Sequence, residues 1–104
     1  MIHKTLSPRA DHIRLTFELP DSMWADHASV VGDFNQWNPI ATPFSQTRTG
    51  TWLAEVDLPT GISCAFRYLI DGRWLTDFHA DGSTSDSNGL YNSVVNARLQ
   101  PVPG

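Results

Sequence analysis

The chain has 104 residues, enough for one domain with a real core but far short of the roughly 250 that a (β/α)8 barrel needs. Charged residues make up 17%, hydrophobic 40% and aromatic 11%, a composition that excludes an extended disordered chain. Seven Lys+Arg against 11 Asp+Glu give a net charge of −4, and Lys4 is the single lysine. The clustered cations that nucleic acid or an anionic membrane surface requires are therefore missing.

The predicted elements run in chain order as follows. Residues 1–10, with Pro8, read as a loose N-terminal segment. His12 to Leu19 alternates strictly, with Ile13, Leu15, Phe17 and Leu19 on one face, which predicts a half-buried strand. Pro20 ends it. Asp21 to Asp26 is short and fits a single helical turn capped by Asp21. Ala28 to Val31 is a second strand. Thr51 to Leu58 is a third, with Trp52, Ala54, Val56 and Leu58 inward, and Pro59-Thr60-Gly61 turns the chain. Cys64 to Ile70 is a fourth, with Phe66, Tyr68 and Ile70 inward and Arg67 outward. Asp71-Gly72 between two apolar runs is a strong hairpin signal, and Arg73-Trp74-Leu75 continues the hairpin. Asp77 to Asn88 reads as a long polar loop and Asn92 to Leu99 as the last strand, with residues 100–104 as a tail. No long helical period and no repeat interrupts this pattern. Short strands with antiparallel turn chemistry predict an all-β sandwich over residues 11–99.

Cys64, the single cysteine, excludes an intrachain disulfide framework and a Cys-rich zinc site. It has core parity and reads as a small buried hydrophobe. The N-terminus lacks an apolar stretch of signal-peptide length, and no run is long enough to span a membrane. A soluble, cytoplasmic protein is the expectation.

Three segments could carry chemistry. In Val30 to Pro39 a strand ends at Gly32, and aromatic residues are then interleaved with amides. Phe34 is expected to plug the end of the sandwich. Trp37, among the turn formers Gln36, Asn38 and Pro39, is expected at the surface. In Phe66 to Trp74, Arg67 alternates out of the core. Trp74 either parallels Phe66 and Tyr68 or lies open. In Asn88 to Val94, Asn92 has parity opposite to Val95, Ala97 and Leu99 and so points away from the core.

Gly-Asp-Phe-Asn-Gln-Trp-Asn (32–38), Val-Asp-Leu-Pro-Thr-Gly (56–61), Phe-Arg-Tyr-Leu-Ile-Asp-Gly-Arg-Trp (66–74) and Asn-Ser-Val-Val (92–95) come in an order and spacing that resembles the family 48 carbohydrate-binding modules. The chain looks like an isoamylase N-terminal, early-set immunoglobulin-like domain. It is also similar to the glycogen-binding domain of the AMP-activated protein kinase β subunit. The likeness runs from about Val30 to Val95. It implies a β-sandwich that binds α-1,4-linked glucan, such as glycogen, starch or maltooligosaccharide, without catalysis or cofactor. It implies a site at Trp37, Arg67 (often lysine in the family), Trp74 and Asn92. The kinase-type domain uses a leucine and a threonine in the preceding loop; those positions read Asn88 and Leu90 here, so Leu90 is a displaced counterpart.

The residue types suit that ligand. A flat indole buries the apolar C–H face of a sugar ring at small entropic cost, and Asn92 and Arg67 offer donors and an acceptor to the hydroxyl rim. The competing reading is a protein-interaction or regulatory module beside a glycogen-metabolising enzyme or kinase, with the same aromatics docking a partner. An enzyme is not expected. A glycosidase needs two carboxyls across a cleft, and no nucleophile motif such as Gly-x-Ser-x-Gly occurs. Asp77-Phe78-His79-Ala80-Asp81 brings two carboxylates and a histidine close in sequence, but without metal-ligand spacing. Trp24 and Trp52 are expected to pack.

Overall fold

The computed structural model describes residues 2–19, 25–77, 80–85, 89 and 91–99. Two antiparallel sheets pack face to face. The first contains β1 (Ile2–Leu6), β2 (His12–Leu19), β4 (Ser45–Gln46) and β5 (Trp52–Pro59), in the order β1-β2-β5-β4. The second contains β3 (Ala28–Gly32), β6 (Ser63–Ile70), β8 (Gly82–Ser85) and β9 (Tyr91–Asn96), in the order β3-β6-β9-β8, and β7 (Arg73–Leu75) pairs with β6. The fold is thus an all-β sandwich. Among the described residues no helix is long and apolar enough to cross a membrane.

The period-two pattern dictates the core. On β2, Ile13, Leu15, Phe17 and Leu19 are all buried, and the register sets Leu15 against Val56, Phe17 against Ala54 and Leu19 against Trp52. On β6, Cys64, Phe66, Tyr68 and Ile70 face these residues from the other sheet. The sheets meet through rings. Phe17 lies 5.2 Å from Phe66 and 6.2 Å from Tyr68 by ring centroid, and both pairs meet edge to face. Such pairs add about 0.5–1.5 kcal/mol each beyond the area they bury. Trp52 packs here, as expected, and Phe34 lies against the same cluster, 6.1 Å from Phe17.

The Asp71-Gly72 hairpin forms as its sequence demands. Asp71 and Gly72 have φ of 49° and 81°, the pair of left-handed residues that a type I′ turn needs, and Ile70 faces Arg73 across it. The Asp71 carboxylate accepts the backbone N–H groups of Asp26 and His27 at 2.9–3.3 Å, which ties the hairpin to the entry of β3.

Three expectations need correction, and one strand was not foreseen. Within residues 1–10, Ile2–Leu6 is not loose; it pairs with β2 from Ile2↔Phe17 to Leu6↔Ile13. An edge strand held by its backbone ladder needs no alternating pattern, and the side chains of β1 carry none. The Lys4 ammonium further anchors it, donating to the Asp81 carboxylate at 2.6 Å across to the second sheet. The polar stretch 77–88 is not all loop, because Gly82–Ser85 pairs with β9. It escaped the pattern because an edge strand exposed along its length has no apolar face. The two-residue β4 is likewise too short and too polar to read. The last strand ends at Asn96; Ala97 is buried but Leu99 is 46% exposed, not in the core. The helical turn proposed from Asp21 falls largely on residues outside those described, as does Trp24.

Candidate functional site

The outer face of the second sheet carries the candidate residues, and β6 is its spine. Since Cys64, Phe66, Tyr68 and Ile70 turn inward, Ala65, Arg67 and Leu69 turn outward. Val31 of β3 lies across from Arg67. On the other side, the β6–β9 ladder ends at Phe66↔Ser93, which sets Arg67 beside Asn92. Ser93 and Val95 are buried and Asn92 is half-buried, so the expected outward parity of Asn92 holds. Beyond the end of β9, β7 takes its place beside β6, with Trp74 across from Leu69. Trp74 therefore shares the face of Arg67 and is 47% exposed, not a core residue. Two residues along a strand and one strand across place the Trp74 and Arg67 backbones about 8 Å apart.

Trp37 reaches this face by a built turn. β3 ends at Gly32, and only glycine fits there: a Cβ would lie 2.5 Å from the Ala65 carbonyl oxygen and 2.8 Å from the Phe66 Cβ. A 3-10 turn over Asp33–Asn35 follows. The Asn35 side chain closes it, accepting the Gly32 N–H at 3.1 Å and donating to the Val30 carbonyl at 3.1 Å and the Thr42 hydroxyl at 3.0 Å. Gln36 and Trp37 then adopt left-handed φ of 56° and 58°, and the Trp37 N–H donates to the Gly32 carbonyl at 2.9 Å. Two consecutive non-glycine residues in this region cost about 1–2 kcal/mol each, so the surrounding contacts must hold them.

Asp33 supplies one such contact. One of its carboxylate oxygens accepts the Trp37 indole Nε1–H at 2.9 Å, and the other accepts the Ala65 backbone N–H at 2.8 Å. Together Asp33, Trp37, Ala65, Arg67 and Asn92 line one open cavity of ≈ 360 Å³. Three of the residues singled out from sequence, Trp37, Arg67 and Asn92, thus converge from segments far apart in the chain. Trp74 shares their face but not their cavity. Leu90, like Asn88, lies outside the described residues. The sequence reading missed Asp33 and Ala65. Trp37 itself is half-buried rather than fully open at the surface, and the signal for Asp33 was an acceptor four residues before this indole, at the start of a turn.

The residues lining the cavity include an indole in Trp37, a guanidinium in Arg67, whose Nε is buried, and an amide in Asn92 that both donates and accepts. That set can bind a ligand with an apolar face and a hydroxylated rim. The acidic stretch after β7 is used structurally instead. The Asp77 carboxylate accepts the Tyr68 hydroxyl at 2.6 Å, and Asp81 accepts Lys4 and the Asn96 N–H. Burial, aided by Asp77, drives the Tyr68 phenol well above its usual range. His79 lies outside the described residues, and among those described no group of three or more His, Cys, Asp or Glu side chains could hold a metal ion. Cys64 is buried, and burial, followed by the nearby Asp33 charge, pushes its thiol up.

No protein-family model matches this chain, and no curated protein matches it at a significant level.

Proposed function

We propose that the outer face of the second sheet binds α-1,4-linked glucan, without catalysis, in the manner of the family 48 carbohydrate-binding modules and their early-set immunoglobulin-like fold. The observation that carries this reading is the convergence of Trp37, Arg67 and Asn92 on one open cavity, with Trp74 exposed on the same face. The Trp37 ring stacks on the C–H face of one sugar, and Trp74 offers a second plate further along the chain. Arg67 donates to ring hydroxyls through its rigid fork, and Asn92 both donates and accepts. A neutral polymer needs no complementary charge, so the net charge of −4 is no obstacle. Affinity for a short oligosaccharide is weak because an open groove leaves much of it hydrated, and several modules on one glycogen particle or starch granule gain by avidity. The inert, buried Cys64 suits a reducing cytoplasm, where such a module would work beside a glycogen-metabolising enzyme.

The test is a titration with maltoheptaose or β-cyclodextrin followed by amide and indole chemical shifts. Shifts clustered at Trp37, Arg67, Trp74 and Asn92 support the reading, and Trp37→Ala or Trp74→Ala each weakens retention on amylose, with loss of the exposed Trp74 changing stability little. Silence at high sugar concentration sinks it in favour of a protein-docking face. Release of sugar from starch would refute the non-catalytic part.

A further inference from the structure

We propose that Asp33 is a positioning residue for glucan binding: it holds the Trp37 indole in its stacking orientation before the sugar arrives. The inference rests on the glucan reading and goes beyond it, because Asp33 need not touch the sugar. Its carboxylate joins two elements. One oxygen receives the N–H of the indole plate, and the other receives the N–H of Ala65 in the floor of the cavity. The plate is thereby referenced to β6, the strand that also carries Arg67, so ring and guanidinium keep a fixed relation. Ala65 lies just past the last β3–β6 pair, Gly32↔Phe66, where the β3 ladder stops and the acidic side chain takes over.

The clamp also determines what Trp37 can offer. Its single N–H donor is committed to Asp33, so the ring presents only its face and edge to a ligand. Recognition at this plate is then by stacking, and hydroxyl recognition falls to Arg67 and Asn92. Without the carboxylate, the left-handed backbone of Gln36 and Trp37 loses a charge-assisted hydrogen bond that opposes its strain. A released indole must be ordered at the expense of binding. Loss of one hydrogen bond to a charged group corresponds to roughly a tenfold change in affinity or more.

The experiment is a double-mutant cycle on maltoheptaose binding with Asp33→Ala and Trp37→Phe, the second keeping an aromatic plate but removing the donor. Expected are roughly tenfold weaker binding for Asp33→Ala in the native background and less than about twofold once Trp37 is phenylalanine. In the free protein, the indole N–H signal that disappears in Trp37→Phe should exchange slowly with solvent. This measurement needs only the native chain and one variant, so it stands even if Asp33→Ala folds poorly. Rapid exchange of that proton, or an equal Asp33→Ala penalty in both backgrounds, overturns the positioning role while leaving the glucan reading intact. Failure of the native chain to bind any maltooligosaccharide refutes the glucan reading, and the positioning role falls with it, even if the indole proton is protected.

Discussion

β3 ends against β6 at Gly32, and the cost of enlarging this residue follows from three contacts. Its φ of −169° is ordinary extended backbone, so an alanine there suffers no torsional strain. The trouble is space. The added Cβ would meet the Ala65 carbonyl oxygen at 2.5 Å, the Phe66 Cβ at 2.8 Å and the Phe34 ring at 3.0 Å. Comfortable carbon contacts lie near 3.5–4.0 Å, so the intruding atom is about 1 Å too close to the backbone of β6 and to the root of a fully buried ring. Neither can rotate away, and β3 must move off β6. Gly32→Ala should therefore destabilise the fold by about 3 kcal/mol, the upper part of the overpacking range. In urea melts this lowers the midpoint by more than about 1 M at an m-value of 1–3 kcal/mol/M. Gly72 is the control. There φ is 81° and a Cβ would meet nothing within 4 Å, so Gly72→Ala loses only the left-handed preference, about 1–2 kcal/mol. The two positions then diverge with asparagine, which tolerates left-handed φ: Gly72→Asn recovers most of the loss and Gly32→Asn is worse than alanine. A Gly32→Ala midpoint within error of the native one, or recovery by asparagine at 32, would refute the steric account.

Other outcomes follow from the core, the first sheet and the thiol. Phe17→Ala removes the ring that touches Phe66 and Tyr68 from the opposite sheet and should cost about 3–5 kcal/mol in chemical denaturation. The Arg14 side chain donates twice to Asp57, at 3.0 and 3.2 Å, and this bond holds the Asp57 carboxyl below its usual range. A lowered folded pKa contributes stability above the ordinary carboxylate value and loses it as pH falls through the folded one. The stability gap between the native chain and Asp57→Asn should thus be full near pH 6 and close below about pH 4, read from urea midpoints across that range. Cys64 should react with a thiol reagent only after unfolding, since burial raises its pKa; immediate modification of the folded chain would contradict its placement.

The sequence carried the fold wherever burial imposed a rhythm. Ile13 to Leu19 and Cys64 to Ile70 sit between a core and an outer face, and both could be assigned residue by residue. Their parity also told which side Arg67 and Asn92 would occupy. β1, β4 and β8 escaped because pairing at a sheet edge is a matter of backbone hydrogen bonds, to which side-chain pattern is indifferent. Asp33 escaped for a related reason. Its role depends on Trp37 doubling back through two left-handed residues and on Ala65 arriving from a strand over 30 positions later. The turn formers around Trp37 mark the first event only loosely, and the second leaves no mark in the local composition.

β1 also has a protective effect. By lying along β2, Ile2–Leu6 covers backbone groups that would otherwise face solvent along the flank of the first sheet. The ammonium-to-carboxylate bond from Lys4 to Asp81 keeps it in place from the opposite layer. A chain shortened past Leu6 would move the open edge of the sheet from the five-residue β1 to the eight-residue β2, a longer template for pairing with strands of neighbouring molecules.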